Sequence, residues 1–227
     1  PATTAIYILS LHDALPILRN YILTDHPLVS TNVKCLTVDN SGTIWIGFYG
    51  DGLFYSKDEL KTLHPYISPI DNEETYNNDV VSEILPGAYN CLYIGSLKGG
   101  VKELNLTSGK LRDLLLKDED NESIYCRTLL FATDNELWIG TESGAYIYNL
   151  RTGKYTHLRS SEYDPYSLSD NAIYSFCKDR EDGIWIGSYF GGVNYYPRSY
   201  THFEKYYPKG EENSLHGKRV QIGRAHV

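Results

Sequence analysis

An all-β fold, a β-propeller fragment of about four four-stranded blades with partial blades on either side, is predicted by three features of this sequence. An aromatic residue followed by Ile-Gly recurs at Trp45, Tyr93, Trp138 and Trp185, at spacings of 48, 45 and 47 residues. Twelve positions before each of these stands an apolar residue: Val33, Val81, Cys126 and Ile173. Short β-rich runs, broken by Gly, Asn and Asp, divide each repeat into four strands, which is the content of a propeller blade. A β-solenoid would use shorter repeats.

Each copy can be followed in order. The first strand runs from the shared apolar position, over residues 33–38 in the first copy and 173–177 in the last. A polar turn follows, Asp-Asn-Ser-Gly at 39–42 and Arg-Glu-Asp-Gly at 180–183, residue types that tolerate positive φ in tight hairpins. The Ile-Trp-Ile-Gly run is the second strand, apolar and β-branched enough to be buried between neighbouring sheets, so Trp45, Trp138 and Trp185 are expected in the core. A Gly-containing loop leads to the third strand, at residues 52–55, 100–103 and 192–195. A more polar fourth strand closes the repeat, at 153–158 and 200–204. The blades are placed at about 32–76, 77–123, 124–170 and 171–217, with another beginning at 218. Because propellers remove exposed sheet edges by closing a ring, this arrangement is expected to be an arc of a larger one.

Both extremities stand apart from the repeat. Residues 2–17 and the Ile-Gly-Arg-Ala-His-Val at 222–227 resemble translated sequencing-adapter sequence. Residues 1–17 and 222–227 are therefore set aside as adapter-derived, leaving 18–221 as propeller.

Composition narrows the function. The net charge of −8 opposes direct nucleic-acid binding, which calls for a basic patch. No run of about 18 apolar residues occurs, so no membrane segment is expected in these residues. Cys35, Cys91, Cys126 and Cys177 are widely spaced and are expected to be buried free thiols. The seven histidines lack metal-ligand spacing, and neither a metal nor another cofactor is expected. The 21 tyrosines suit half-buried strands and also sugar-binding surfaces.

At its anchors the chain resembles the two-component regulator propeller repeats of hybrid sensor histidine kinases. The pattern, an acidic turn, W-I-G and then G-G-V or its equivalent, is carried by residues 39–53 and 182–193, with IWIGSYFGGVNYY at 184–196 as the best match. The second repeat departs from it, with Tyr93 for Trp and Pro-Gly-Ala-Tyr-Asn at 86–90 in place of the acidic turn; the third has Ser-Gly-Ala at 143–145. The resemblance implies a periplasmic sensor whose parent is anchored in the inner membrane, acts as a homodimer, and signals to a histidine kinase outside these residues.

Three readings of function follow: an oligosaccharide-sensing segment, not itself an enzyme; a propeller glycosidase or lyase; and a protein-interaction scaffold. Sugars present apolar ring faces beside hydroxyls, so aromatic platforms next to polar side chains are the feature to seek. The loops after the second strands share one rim with the inter-blade connections, which nominates Tyr49, Asp51, Lys98, Glu142, Tyr189 and Phe190, with Arg127 on an inner strand facing the channel. A glycosidase would need two carboxyl groups about 5 to 10 Å apart, one of raised pKa, and no catalytic residue is nominated.

Overall fold

The computed structural model describes residues 32–67, 79–164 and 166–198. They form strands and loops arranged as four antiparallel sheets, each built in the order of the chain. The first sheet holds β1 (Val33–Val38), β2 (Ile44–Phe48), β3 (Leu53–Ser56) and β4 (His64–Pro65). The second holds β5 (Val81–Pro86), β6 (Cys91–Ser96), β7 (Val101–Asn105) and β8 (Leu111–Leu115). The third holds β9 (Cys126–Thr133), β10 (Glu136–Thr141), β11 (Gly144–Asn149) and β12 (Tyr155–Leu158). The fourth holds β13 (Ile173–Lys178), β14 (Ile184–Ser188) and β15 (Val193–Tyr196). The fourth strand expected at 200–204, the blade start at 218 and both terminal segments lie outside the described residues.

Successive sheets meet through their first strands, β1 on β5, β5 on β9 and β9 on β13, which is the radial packing of propeller blades. The cores lie between blades. Trp45 and Leu53 pack on Val81, Ile84, Leu92 and Ile94; Tyr93 and Val101 on Cys126, Leu137 and Ile139; Trp138 and Ala145 on Ile173, Ile184 and Ile186. The second strand therefore sends its Ile residues toward the preceding blade and its aromatic toward the following one, the two-faced burial that its nearly unbroken apolar run implies.

The outermost described faces lack such a neighbour, and this corrects one expectation. Trp45 and Trp138 are buried, but Trp185 is 45% exposed, beside Val193 and Tyr195. Among the described residues it meets only its own blade, at Tyr195 and Asp179. Leu36 and Val38 are likewise exposed at the other end, whereas Ile84 and Leu129, which occupy the register position of Leu36, are buried. The thiols are free, yet Cys177 is exposed, because it too lies on the fourth blade.

The acidic turns have a structural task. Asp39 Oδ1 accepts hydrogen bonds from the Ser41 and Thr43 amides at 2.8 and 3.0 Å, and Oδ2 accepts the Trp45 indole N–H at 2.8 Å. Asp179 repeats this with Glu181, Gly183 and Trp185. The left-handed residue is Gly42 in the first turn but Asp182 in the second, so the fourth-blade turn spans 179–183 and Gly183 matches Thr43. In the third blade Trp138 donates to Glu136 instead. Burial pushes the Asp39 carboxyl up, but the bonds from Ser41, Trp45 and Thr43 outweigh it and hold its pKa below the ordinary 3.8. Asp39→Asn would aim an amide N–H at the Trp45 indole N–H, and is expected to lower stability by about 1–2 kcal/mol in urea unfolding. Because the folded pKa is depressed, the carboxylate's contribution is present above the unfolded value and disappears as pH falls through the folded one. The difference between wild type and Asp39→Asn should therefore shrink below pH 3.8.

Candidate functional site

Every blade carries the same irregularity on its first strand. The pairing with the second strand slips between Val33 and Cys35, between Val81 and Glu83, at the start of β9, and between Ile173 and Ser175. These β-bulges leave one extra residue per blade: Lys34, Ser82, Arg127 and Tyr174. A bulge re-aims the side chain it frees, which is why bulges gather at rims and sites.

On the third and fourth blades the freed side chains meet. The Arg127 guanidinium lies 4.9 Å from the centre of the Tyr174 ring. Its Nε donates to Glu142 Oε1 at 2.6 Å, so the charge is anchored by the loop between β10 and β11. Tyr174 stacks on Tyr189 with ring centres 5.0 Å apart and 26° between planes, and Tyr189 meets Phe190 edge-on at 4.3 Å. The result is a ladder, Glu142–Arg127–Tyr174–Tyr189–Phe190, that crosses from one blade to the next along one rim. Tyr174, Tyr189 and Phe190 are all exposed. Cation–π and stacked pairs hold such rings in place while leaving their free faces to solvent.

The backbone beneath the ladder is fixed by a carboxylate. Asp170 Oδ2 accepts the Phe190 amide at 2.9 Å, and the Tyr189 amide donates to the Ala172 carbonyl. The Phe190 amide above all, with the Ala172 amide, holds the Asp170 pKa below its ordinary value against the opposing effect of burial. On the second blade the Asp79 carboxylate likewise braces the loop, accepting the Lys98 and Gly99 amides.

Arg127, Glu142, Tyr189 and Phe190 are thus brought together. Tyr49, Asp51 and Lys98 are not in the ladder. Tyr49 is exposed and bridges to Val80, Asp51 is half-buried between Gly50 and Gly52, and Lys98 is exposed on the second blade's loop. Tyr174 was not nominated from sequence, although it falls one position after Ile173, as Arg127 falls one after Cys126. Aligning the repeats on that apolar residue would have shown it.

The described residues offer little for acid–base chemistry. Glu83 is the described carboxyl group held above its ordinary value, by burial, and no second carboxylate contributes to that shift. Asp39 and Asp179 are occupied by their own turns. No group of three or more His, Cys, Asp or Glu side chains suited to a metal occurs among the described residues.

The Asp–Trp turns also mark kinship. The family model described as two component regulator propeller matches residues 27–50 and 167–190, the two segments that contain Asp39 with Trp45 and Asp179 with Trp185. These two segments are similar to two component regulator propeller repeats. The second repeat has neither the Asp nor the Trp of this turn, and in the third the Trp138 indole donates to Glu136. Solved structures agree on the fold. The extracellular domain of the hybrid two component system BT4673 from B. thetaiotaomicron is 20% identical with a TM-score of 0.60, over 72% of this chain and 21% of that one. YCF48 bound to D1 peptide is 13% identical with a TM-score of 0.54, over 74% and 51%. An ancestral GH74 enzyme is 14% identical with a TM-score of 0.54, over 75% and 23%. The chain therefore spans 21% of the length of the BT4673 domain. No curated protein matches it in sequence.

Proposed function

We propose that this propeller is an extracytoplasmic ligand-sensing segment of a hybrid two-component sensor kinase, in a parent protein that is anchored in the inner membrane, dimeric, and signals to a kinase outside this chain. Its ligand is an oligosaccharide. The observation that carries the reading is the exposed ladder of Tyr174, Tyr189 and Phe190, braced by the Arg127–Glu142 pair. Aromatic faces supply the platform for a sugar ring, and the guanidinium and carboxylate beside them supply donors and acceptors for its hydroxyls. The pairing of Arg127 with Glu142 leaves no net charge on the ladder, which favours a neutral saccharide. The two segments similar to regulator propeller repeats, and the fold shared with the extracellular BT4673 domain, support this reading.

The test is binding of the complete ectodomain to a broad glycan panel, followed by Tyr189→Ala. Binding of a neutral oligosaccharide, weakened at least about tenfold by Tyr189→Ala, is the expected result. Absence of binding across the panel, or binding indifferent to Tyr189, would remove the reading and leave a scaffold as the alternative.

A further inference from the structure

The second blade breaks the repeat at its β5–β6 turn, at the opposite end of the strands from the loops that carry the ladder. Its β5–β6 turn has neither the acidic residue nor the Trp. In their place Tyr93 is buried, and Gly87 lies so close that a Cβ there would collide with the Tyr93 ring. Tyr89 and Asn90 follow in consecutive left-handed conformations, φ 56° and 58°. This is the two-residue hairpin turn closed by the Gly87 and Cys91 amides; Asn suits such a position, whereas a bulky aromatic is strained there and must be held by the surrounding turn. The strained turn holds the Tyr89 ring 93% exposed.

That ring stands at a cleft of about 470 Å³ between the second and third blades. The Tyr93 and Phe131 rings, edge-on at 5.1 Å, belong to its lining together with Glu103, Arg112 and Arg151. Arg112 Nε donates to Glu103 Oε2 at 2.8 Å, so this pair is neutral as a unit. Burial, with Glu103 nearby, pushes the Tyr93 hydroxyl up to about 12 and keeps it an uncharged donor. Arg151 and Asp134, on neighbouring turns of the third blade, add one charge of each sign. The cleft is walled by aromatics, edged by donors and acceptors, and carries no net charge. The volume is at the lower end of those typical for small-ligand pockets and suits one or two sugar rings.

We infer that this cleft is a second, separate binding site for a neutral, ring-shaped polyhydroxyl ligand, with Tyr89 as its stacking platform. A net-neutral cleft offers an ion no unmatched counter-charge, whereas paired donors and acceptors on both sides of an aromatic wall match hydroxyls around an apolar ring face.

The experiment titrates the whole chain, by calorimetry, with maltose, cellobiose and lactose as neutral probes, and with glucuronate and benzoate as an acidic sugar and a ring without hydroxyls. It is repeated on Tyr89→Asn, chosen because Asn accepts the left-handed backbone, so the platform is lost without loss of the fold. At least one neutral disaccharide should bind, at least about tenfold better than glucuronate or benzoate. Tyr89→Asn should weaken that binding at least about tenfold with its melting temperature unchanged or raised, and Tyr189→Ala should leave it unaltered. Failure of all three disaccharides, equal binding of benzoate, or binding insensitive to Tyr89→Asn would each overturn the inference. Loss of binding through Tyr189→Ala with Tyr89→Asn silent would assign the sugar to the rim ladder alone.

Discussion

Trp138→Ala is expected to lower the unfolding free energy by about 3–5 kcal/mol, while Trp185→Ala should cost about 1 kcal/mol or less. The two residues hold the same repeat position and differ in what lies on top of them. Trp138 is fully buried, with Phe176 edge-on at 5.7 Å and Tyr196 at 5.0 Å from the next blade, and it donates to Glu136 at 2.9 Å. Truncation there leaves a cavity between two blades that cannot collapse without moving a whole sheet. Trp185 keeps its Asp179 bond and a 4.7 Å contact with Tyr195 on its own blade, but is 45% exposed. Urea unfolding followed by far-ultraviolet circular dichroism avoids using the deleted indole as the reporter. Equal losses at the two sites would show that Trp185 is covered in solution.

The second large effect is on ligand binding. If the rim ladder is the platform, Tyr174→Ala removes the ring that touches both Arg127 and Tyr189. Oligosaccharide affinity of the complete ectodomain should fall at least about tenfold, with stability little changed because Tyr174 is exposed. Arg127→Lys separates stacking from charge. The ammonium can still pair with Glu142, but it cannot lie flat along a ring or form the guanidinium's forked bond. An affinity loss in Arg127→Lys comparable to that in Arg127→Ala would show that the planar stack is what matters. Wild-type affinity in Tyr174→Ala would exclude the ladder as the site.

The blade architecture was legible in the sequence because it rests on positions that every copy repeats. The apolar residue buried at Val81, Cys126 and Ile173, the aromatic-Ile-Gly strand and the loop glycines recur at matching places, while Val33, on the outermost described first strand, is exposed. The three described inter-blade interfaces use them as the repeat implies. The acidic turns were legible as hairpins, but not their bond to the indole six residues on, since nothing in the spacing says which way the Trp45 or Trp185 ring turns.

The ladder was only partly legible. Sequence could propose that Glu142, Tyr189 and Phe190 share a rim, because strand order puts their loops at one end of the blades. It could not bring Arg127 and Tyr174 to them, because a β-bulge depends on how two strands pair, and contact between blades depends on the angle at which sheets pack. The burial of Trp45 and Trp138 against the exposure of Trp185 has the same origin. A residue's place in the repeat follows from local pattern, while its surroundings follow from whichever sheet lies next to it, and that is a relation between residues far apart in the chain.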